Sequence, residues 1–273
     1  MTDQMTIERK GRPGLADRLR ARGQRDGGLR DLIVPFILPA LFVAIWHVLS
    51  TNPATRSDLL PTPLTVAVTL YNEIVHGGLV WHVTASLTRA FAGFALACAI
   101  GISLGLLMSQ SRIVREVLSG PVEVLRPISS IAWIPLAILW FGIGFSSVIF
   151  VIMISCVFVI LLNTLSAGMS VRRDLVDAAL TLGATKAQIF RKVTIPAALP
   201  GIFLGMRVAL TGAWGGVLIA EMIATQEGLG YLAVRAQASF RPDLVIACMI
   251  VVGVVGYALN MLSVALQRRL FHV

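Results

Sequence analysis

Residues 174–200 read DLVDAALTLGATKAQIFRKVTIPAALP and separate two very apolar regions of the chain. Asp174 stands where an acidic side chain caps the start of a short helix and complements its positive end. That helix is predicted to run to Leu182, because Gly183 follows and glycine tolerates the left-handed conformation in which many helices end. The first half of the stretch therefore predicts a short, capped, amphipathic helix.

The second half of the stretch predicts another short helix. Thr185 and Gln188 have capping-box spacing, and the helix is expected to run to about Val193. Pro196 and Pro200 are then expected to break or restart the chain. Two short helices between membrane spans form either a contact surface for a partner or a solvated connector loop, and the residues alone leave both open.

The composition is that of a membrane protein. Of the 273 residues, 56% are hydrophobic and only 14% are charged, whereas about a quarter of the residues in soluble domains are charged. Cys98, Cys156 and Cys248 lie inside apolar runs, with a spacing that fits neither a metal site nor a redox pair. We therefore expect buried thiols, no disulfide and no metal site.

Six apolar stretches predict an all-α integral membrane protein, since a helix of about 20 apolar residues spans a bilayer. The predicted spans cover residues 32–49, 86–108, 122–142, 147–168, 201–224 and 244–266. Glycine and serine at 142–147 predict a tight turn between spans three and four. Pro127 and Pro135 predict that span three is bent or locally unwound.

Positive charge predicts the orientation of these spans. Lysine and arginine concentrate in residues 1–30, 111–126 and 170–196 and at the C-terminus, and few lie in the outer loops. The positive-inside rule then places both termini and residues 170–196 in the cytoplasm. This placement accounts for the net charge of +9 without a nucleic-acid partner. Residues 1–30 are interpreted as a basic cytoplasmic tail on anionic lipid, ahead of a transmembrane domain at 31–273.

Arg89, Arg207 and Glu221 are ionisable groups within the apolar parts of predicted spans. Charges at such depth are costly, so each is a functional candidate by default. In one interpretation they line a solute pathway together with Pro135 of the bent span. In the other, Glu221 pairs with Arg89, and Arg207 extends its guanidinium to the membrane surface.

An enzymatic function is not supported by the sequence. GISLG at 101–105 matches the GxSxG pattern of serine hydrolases, but a serine nucleophile needs a base, and none of the four histidines lies well inside a span. The glycines there are more typical of helix packing. The sequence also lacks a GxxxxGK[ST] phosphate loop, so a nucleotide that drives this protein belongs to another polypeptide. We expect no catalytic residue and no cofactor on this chain.

The stretch that includes Asp177 and Pro196 resembles a motif of a known family. Membrane subunits of ABC importers carry a cytoplasmic motif of Glu-Ala-Ala, three residues, Gly, nine residues, Ile, one residue and Leu-Pro. The same spacing is present here in Asp177, Ala178, Ala179, Gly183, Val193, Ile195 and Pro196. Asp replaces Glu, Val replaces Ile and Ile replaces Leu, and these like-for-like changes bear on partner choice.

Three further stretches are similar to the nitrate/sulfonate/taurine-type permeases: SLTRAFAGF at 86–94, RPISSIAWIPLAILWFGIG at 126–144 and GLGY at 228–231. The resemblance covers about residues 60–270. Members of that family often have proline where this chain has Ser129 or Ser130, a difference that bears on the bend of span three.

The resemblance implies a type I importer fold with six transmembrane helices and a cytoplasmic coupling helix between spans four and five. It also implies a homodimer in the inner membrane, a cytoplasmic ATPase dimer that holds ATP and magnesium, and an extracytoplasmic binding protein. The implied docking residues are those of the motif together with Phe190. The implied solute is a small anion such as nitrate, a sulfonate or taurine. The alternatives are a pyrimidine vitamin precursor and, more remotely, a secondary carrier, a channel or an intramembrane protease.

Overall fold

The computed structural model describes residues 27–52 and 59–271, with side chains for 37–52 and 59–269. The chain divides into two compact units, Met1–Leu64 and Thr65–Val273. The described residues contain helices and no strand. The predicted basic tail lies outside them except for residues 27–30, which belong to the first turns of a helix.

The first unit contains helix α1 (Gly27–Thr51) and the first residues of α2 (Pro63–Val75). The indole of Trp46 donates a hydrogen bond to the carbonyl of Pro61, at 3.1 Å. The apolar part of α1 with described side chains, Ile37–Thr51, is shorter than the roughly 20 residues that cross a bilayer. The first predicted span therefore remains a prediction.

The second unit contains the rest of α2 and the remaining helices. They are α3 (Leu79–Gln110), α4 (Arg112–Leu125), a 3-10 helix (Ser130–Trp133), α5 (Ile134–Phe141), α6 (Phe145–Met169), α7 (Arg173–Thr181), α8 (Lys186–Ile189), a π-helix (Phe190–Thr194), α9 (Ile195–Ala224), α10 (Leu229–Ala238) and α11 (Pro242–Phe271).

Among the described residues, four helical segments are long and apolar enough to span a membrane: α3, α6, α11 and the continuous Lys186–Ala224 segment. A fifth span is counted if α4 and the following 3-10 helix and α5 are taken together. The fold is therefore that of a helical membrane protein, and the count of six spans is not established by these helices.

The third predicted span, 122–142, is not one helix. The axis turns by 89° between Arg112–Leu125 and Ser130–Phe141. Pro127 lies in the break, where its missing N–H removes a helical hydrogen bond. Pro135 instead lies in the first turn of α5, where proline needs no hydrogen-bond partner, and does not bend the chain.

Two segments that lie wholly or partly between the predicted spans are helical. Residues 111–126 contain α4, which the hydroxyl of Ser111 caps by accepting a hydrogen bond from the N–H of Val114. Residues 225–243 contain α10, which begins after Gly228 at a φ of 109°. Both helices are amphipathic, so their polar faces made the sequence resemble loops.

Close contact between α3 and α6 organises the core of the second unit. Gly93, Ala97, Gly101 and Gly105 recur every four residues on α3 and are buried. A Cβ atom on Gly105 would lie 2.7 Å from the carbonyl oxygen of Leu161, so the two backbones approach too closely for a side chain. In the GISLG stretch, Gly101 and Gly105 face α6 while Ser103 is exposed on another face. The stretch is thus a packing surface.

We predict that Gly105→Val destabilises the protein by about 1–3 kcal/mol, because the added side chain forces α3 away from α6. The matched control is Gly212→Val on α9, where a built Cβ atom meets nothing within 4 Å. Thermal unfolding in detergent measures the difference in stability between the two variants. It is monitored by the loss of the monodisperse peak in size-exclusion chromatography. Equal loss of stability in the two variants would contradict this packing.

Candidate functional site

A buried ion pair joins α3 to α9. The guanidinium of Arg89 and the carboxylate of Glu221 lie 2.9 Å apart, and their side chains are 1% and 0% exposed. Arg89 also pairs with the carboxylate of Glu227 and donates a hydrogen bond to its carbonyl oxygen, at 3.0 Å. One guanidinium therefore holds two carboxylates, one fully buried and one partly exposed.

The second oxygen of Glu221 fastens the following loop. It accepts hydrogen bonds from the hydroxyl of Ser86, at 2.7 Å, and from the N–H of Gly230, at 3.1 Å. The same hydroxyl of Ser86 accepts a hydrogen bond from the N–H of Leu229, at 2.9 Å. These contacts tie the first turn of α10 to α3 and α9, and we call Ser86, Arg89, Glu221 and Glu227 the ion cluster.

The two glycines of GLGY make this approach possible. A Cβ atom on Gly228 would overlap the carboxylate of Glu221, and one on Gly230 would overlap the carbonyl oxygen of Leu218. Glycine at both positions lets the backbone N–H groups reach side-chain acceptors, including Nδ1 of His82, which accepts from Gly228 at 3.0 Å. The sequence motif is therefore explained by close backbone approach to the ion cluster.

Of the two interpretations of the charges within spans, the structure brings Arg89 and Glu221 together. It also adds Ser86 and Glu227, which sequence reasoning missed. The available signal for Glu227 was its position directly before Gly228, at the start of a glycine-spaced motif. A cavity of about 520 Å³ lies beside the cluster, lined by Arg89 and Glu227 and by Phe145 and the loop residues around it.

The other candidate residues of the pathway lie elsewhere. Arg207 is fourteen residues before Glu221 on α9, which corresponds to about 21 Å along the helix. Its guanidinium donates a hydrogen bond of 3.5 Å to the side chain of Gln267 on α11, beside a mostly apolar cavity of about 170 Å³. Pro135 is exposed at the start of α5. Neither Arg207 nor Pro135 lines the cavity beside the ion cluster.

Residues 173–194 lie at the far end of α9. They contain α7, α8 and the π-helix, which we together call the helix pair. Gly183 ends the first helix at a φ of 77°, as predicted from the sequence. The capping box of the second is present, with the N–H of Thr185 donating to the side chain of Gln188 at 2.8 Å, and the N–H of Gln188 donating back at 3.4 Å.

Two details of the helix pair correct the sequence-based expectation. Asp174 is not the capping residue, because the helix begins one residue earlier, after Arg172. Instead the guanidinium of Arg172 hydrogen-bonds to Asp174 and lowers the pKa of this exposed carboxyl below its ordinary value. Pro196 and Pro200 do not break the helix. Pro196 lies in the first turn of α9, where proline is tolerated, and Pro200 lies inside the same helix.

The motif residues of the helix pair are mostly open to contact. Asp177, Ala178, Gly183 and Pro196 are exposed, whereas Ala179, Phe190, Val193 and Ile195 are half-buried. Beside them, the side chain of Leu182 is 87% exposed and that of Leu175 is 45% exposed. Both leucines therefore leave apolar surface uncovered beside the turn at Gly183.

Comparison with known proteins now identifies the family. A family model described as "Binding-protein-dependent transport system inner membrane component" matches residues 97–272. The chain belongs to this family. As in its relatives, the chain is a permease subunit of an ABC transporter.

Three relatives of this permease illustrate the range of the family. An ABC transporter permease protein of Methanocaldococcus jannaschii is 41% identical over 243 residues, covering 85% of this chain and 88% of that protein. The aliphatic sulfonates transport permease protein SsuC of Bacillus subtilis is 33% identical, covering 90% and 88%. The bicarbonate transport system permease protein CmpB of Synechococcus elongatus is 34% identical, covering 91% and 95%.

Solved structures agree on the fold. The MetNI methionine ABC transporter, in an inward facing conformation, contains a chain that matches this permease with a TM-score of 0.64 and 21% identity. The match covers 72% of this chain and 98% of that chain. At this identity the likeness shows the shared fold alone.

We predict strong coupling between Arg89 and Glu221 in a double-mutant cycle. Arg89→Met or Glu221→Met alone should destabilise the permease by about 3 kcal/mol or more, because each leaves a charge buried without its main partner. The double variant should lose much less than the sum. Reversible unfolding in SDS measures all four proteins.

The control for this cycle is the pair of Arg112 and Glu116, which is also close, at 2.7 Å, but 83% and 62% exposed. Its coupling is expected to stay within about 0.5 kcal/mol. A coupling at Arg89 and Glu221 that is no larger than this would show that the ion cluster does not hold α3 to α9.

Proposed function

We propose that this permease forms the translocation path of an ATP-driven importer and that its helix pair is the docking surface for a partner ATPase. The observation that carries the proposal is the exposure of Leu182 beside Gly183, in a turn stiffened by the capping box of Thr185. A docking surface transmits force only if it is rigid, and the caps supply that rigidity. The exposed or half-buried motif residues, Asp177 through Pro196, supply the contact area.

Continuity of the helix supports a coupling role. The segment Lys186–Ala224 is helical for 39 residues, which corresponds to about 58 Å. One end carries the helix pair and the other carries Glu221 in the ion cluster. Motion of the ATPase at one end would therefore be passed along one rigid element to α3 and the GLGY loop at the other.

The same proposal assigns the partners. With both termini and the helix pair in the cytoplasm, the loop that contains Glu227 faces outward, where an extracytoplasmic binding protein delivers solute. A second copy of this chain lines the other side of the path in the inner membrane. ATP and magnesium are held by the ATPase subunits.

We assign the solute to small anions, of the kind exemplified by nitrate, sulfonates and taurine. The names of the relatives SsuC and CmpB, aliphatic sulfonates and bicarbonate, support an anion. A neutral solute such as a pyrimidine vitamin precursor is the competing assignment within the same fold. A secondary carrier or channel would work without the ATPase, and an intramembrane protease would need Ser103.

We predict that Gly183→Val uncouples ATP hydrolysis while leaving the protein inserted, because valine is strained at a φ of 77° and the turn must distort. Replacing Asp177 and Ala179 with bulky residues should do the same by blocking contact. Binding-protein-stimulated ATP hydrolysis of the complex in proteoliposomes, together with co-purification of the ATPase, measures the effect. We expect at least a tenfold loss of the stimulated rate.

Gly120→Val is the matched control, since Gly120 on α4 also has open space around it but no left-handed backbone. It should retain both ATPase binding and stimulation. Normal stimulation in Gly183→Val and in the bulky variants would contradict docking at the helix pair. Solute uptake by the permease without any ATPase would identify a carrier or channel.

A further inference from the structure

A cavity with polar and apolar lining lies at the break of the third predicted span. It has a volume of about 380 Å³ and is bounded by residues 126–130 on one side and by α6 on the other. Non-helical backbone at membrane depth is tolerated only where protein or water covers it, and this cavity provides such cover. The break and the cavity are therefore parts of one feature.

The cavity lies apart from the ion cluster. Its lining on α6 runs from Ile154 to Asn163. By helical rise, Ser155 lies about 15 Å from the start of α6 at Phe145, the end close to Arg89. Asn163 lies about 9 Å from the other end of α6. On the proposed orientation the cavity is in the cytoplasmic half of the membrane.

The lining has the chemistry of an anion site. Its polar lining residues are Arg126, Ser129, Ser130, Ser155 and Asn163, and no acidic residue lines it. The amide of Asn163 already donates a hydrogen bond to the carbonyl of Val159, at 2.8 Å. Arg126 has no ion-pair partner among the described side chains. The hydroxyl of Ser129 makes no capping hydrogen bond to the 3-10 helix it precedes. The residues around this cavity therefore supply a positive charge and hydroxyl donors without a carboxylate.

The other two arginines considered for the path are less suited to bind an anion. Arg89 already holds two carboxylates, and Arg207 is hydrogen-bonded to Gln267 beside mostly apolar side chains. In the prediction of orientation, Arg126 was one of the positive charges that place residues 111–126 in the cytoplasm. Its position directly before Pro127 places it instead at the break.

We propose that this cavity binds a small oxyanion on its way to the cytoplasm, with Arg126 as the residue that selects for negative charge. The planar guanidinium donates two parallel hydrogen bonds to a sulfonate, carboxylate, nitrate or bicarbonate group. Ser129, Ser130 and Ser155 donate to the remaining oxygens. The proposal rests on the proposed transport function and names the place on this chain where the solute is recognised.

The test measures direct binding to the full-length permease in nanodiscs. Methanesulfonate is the probe, and methanesulfonamide, a neutral molecule of nearly the same shape, is its control. Saturation-transfer NMR and calorimetry are expected to detect millimolar or tighter binding of methanesulfonate and much weaker binding of methanesulfonamide. Arg126→Gln should weaken methanesulfonate binding about tenfold or more, and Arg126→Lys should restore part of it.

Arg112→Gln is the matched control, because Arg112 is an exposed arginine on the same helix, outside the cavity. It should bind methanesulfonate as the wild type does. The proposal is overturned if Arg126→Gln binds as well as Arg112→Gln, if the neutral probe binds equally well, or if the wild type binds neither methanesulfonate nor bicarbonate at millimolar concentrations. Binding needs no ATPase, so loss of ATP coupling would refute the proposed function separately.

Discussion

The buried pair of Arg89 and Glu221 is the interaction on which the arrangement of the second unit depends. Inside a membrane no water hydrogen-bonds to either charge, so the protein itself must supply a partner for each. Glu221 uses its remaining oxygen to hold Ser86 and the N–H of Gly230. A single ion pair thereby fixes two spans and the loop between α9 and α10, and the glycine contacts of α3 with α6 fix the rest of the core.

The opposite end of α9, which carries the helix pair, is stabilised by different interactions. The helix pair keeps its backbone hydrogen bonds within its own caps and turns, and it leaves leucine side chains exposed instead of burying them. A rigid element with unsatisfied apolar surface is suited to a protein partner. In the proposed function, the partner ATPase moves this free end, the ion cluster holds the other end, and a continuous helix joins them.

Local features were predictable from the sequence and long-range features were not. The glycine stop at Gly183, the capping box of Thr185 and the break near Pro127 depend on neighbouring residues, and the structure contains all three. The contact of Glu227 with Arg89 joins residues 138 positions apart, which no periodicity encodes. The helices α4 and α10 were missed because polar residues on one face of a short helix look like a loop.

The central proposal is that a partner ATPase binds to the helix pair. Site-specific photo-crosslinking tests this contact directly, with a photoreactive amino acid at position 182 or, as a control, at 240. Both native side chains are equally open, with Leu182 87% and Phe240 89% exposed. We propose that their segments lie on opposite sides of the membrane. We predict that position 182 crosslinks to the ATPase subunit and that position 240 does not. An ATPase adduct at 240, or none at 182 in a complex that retains its ATPase, would contradict it.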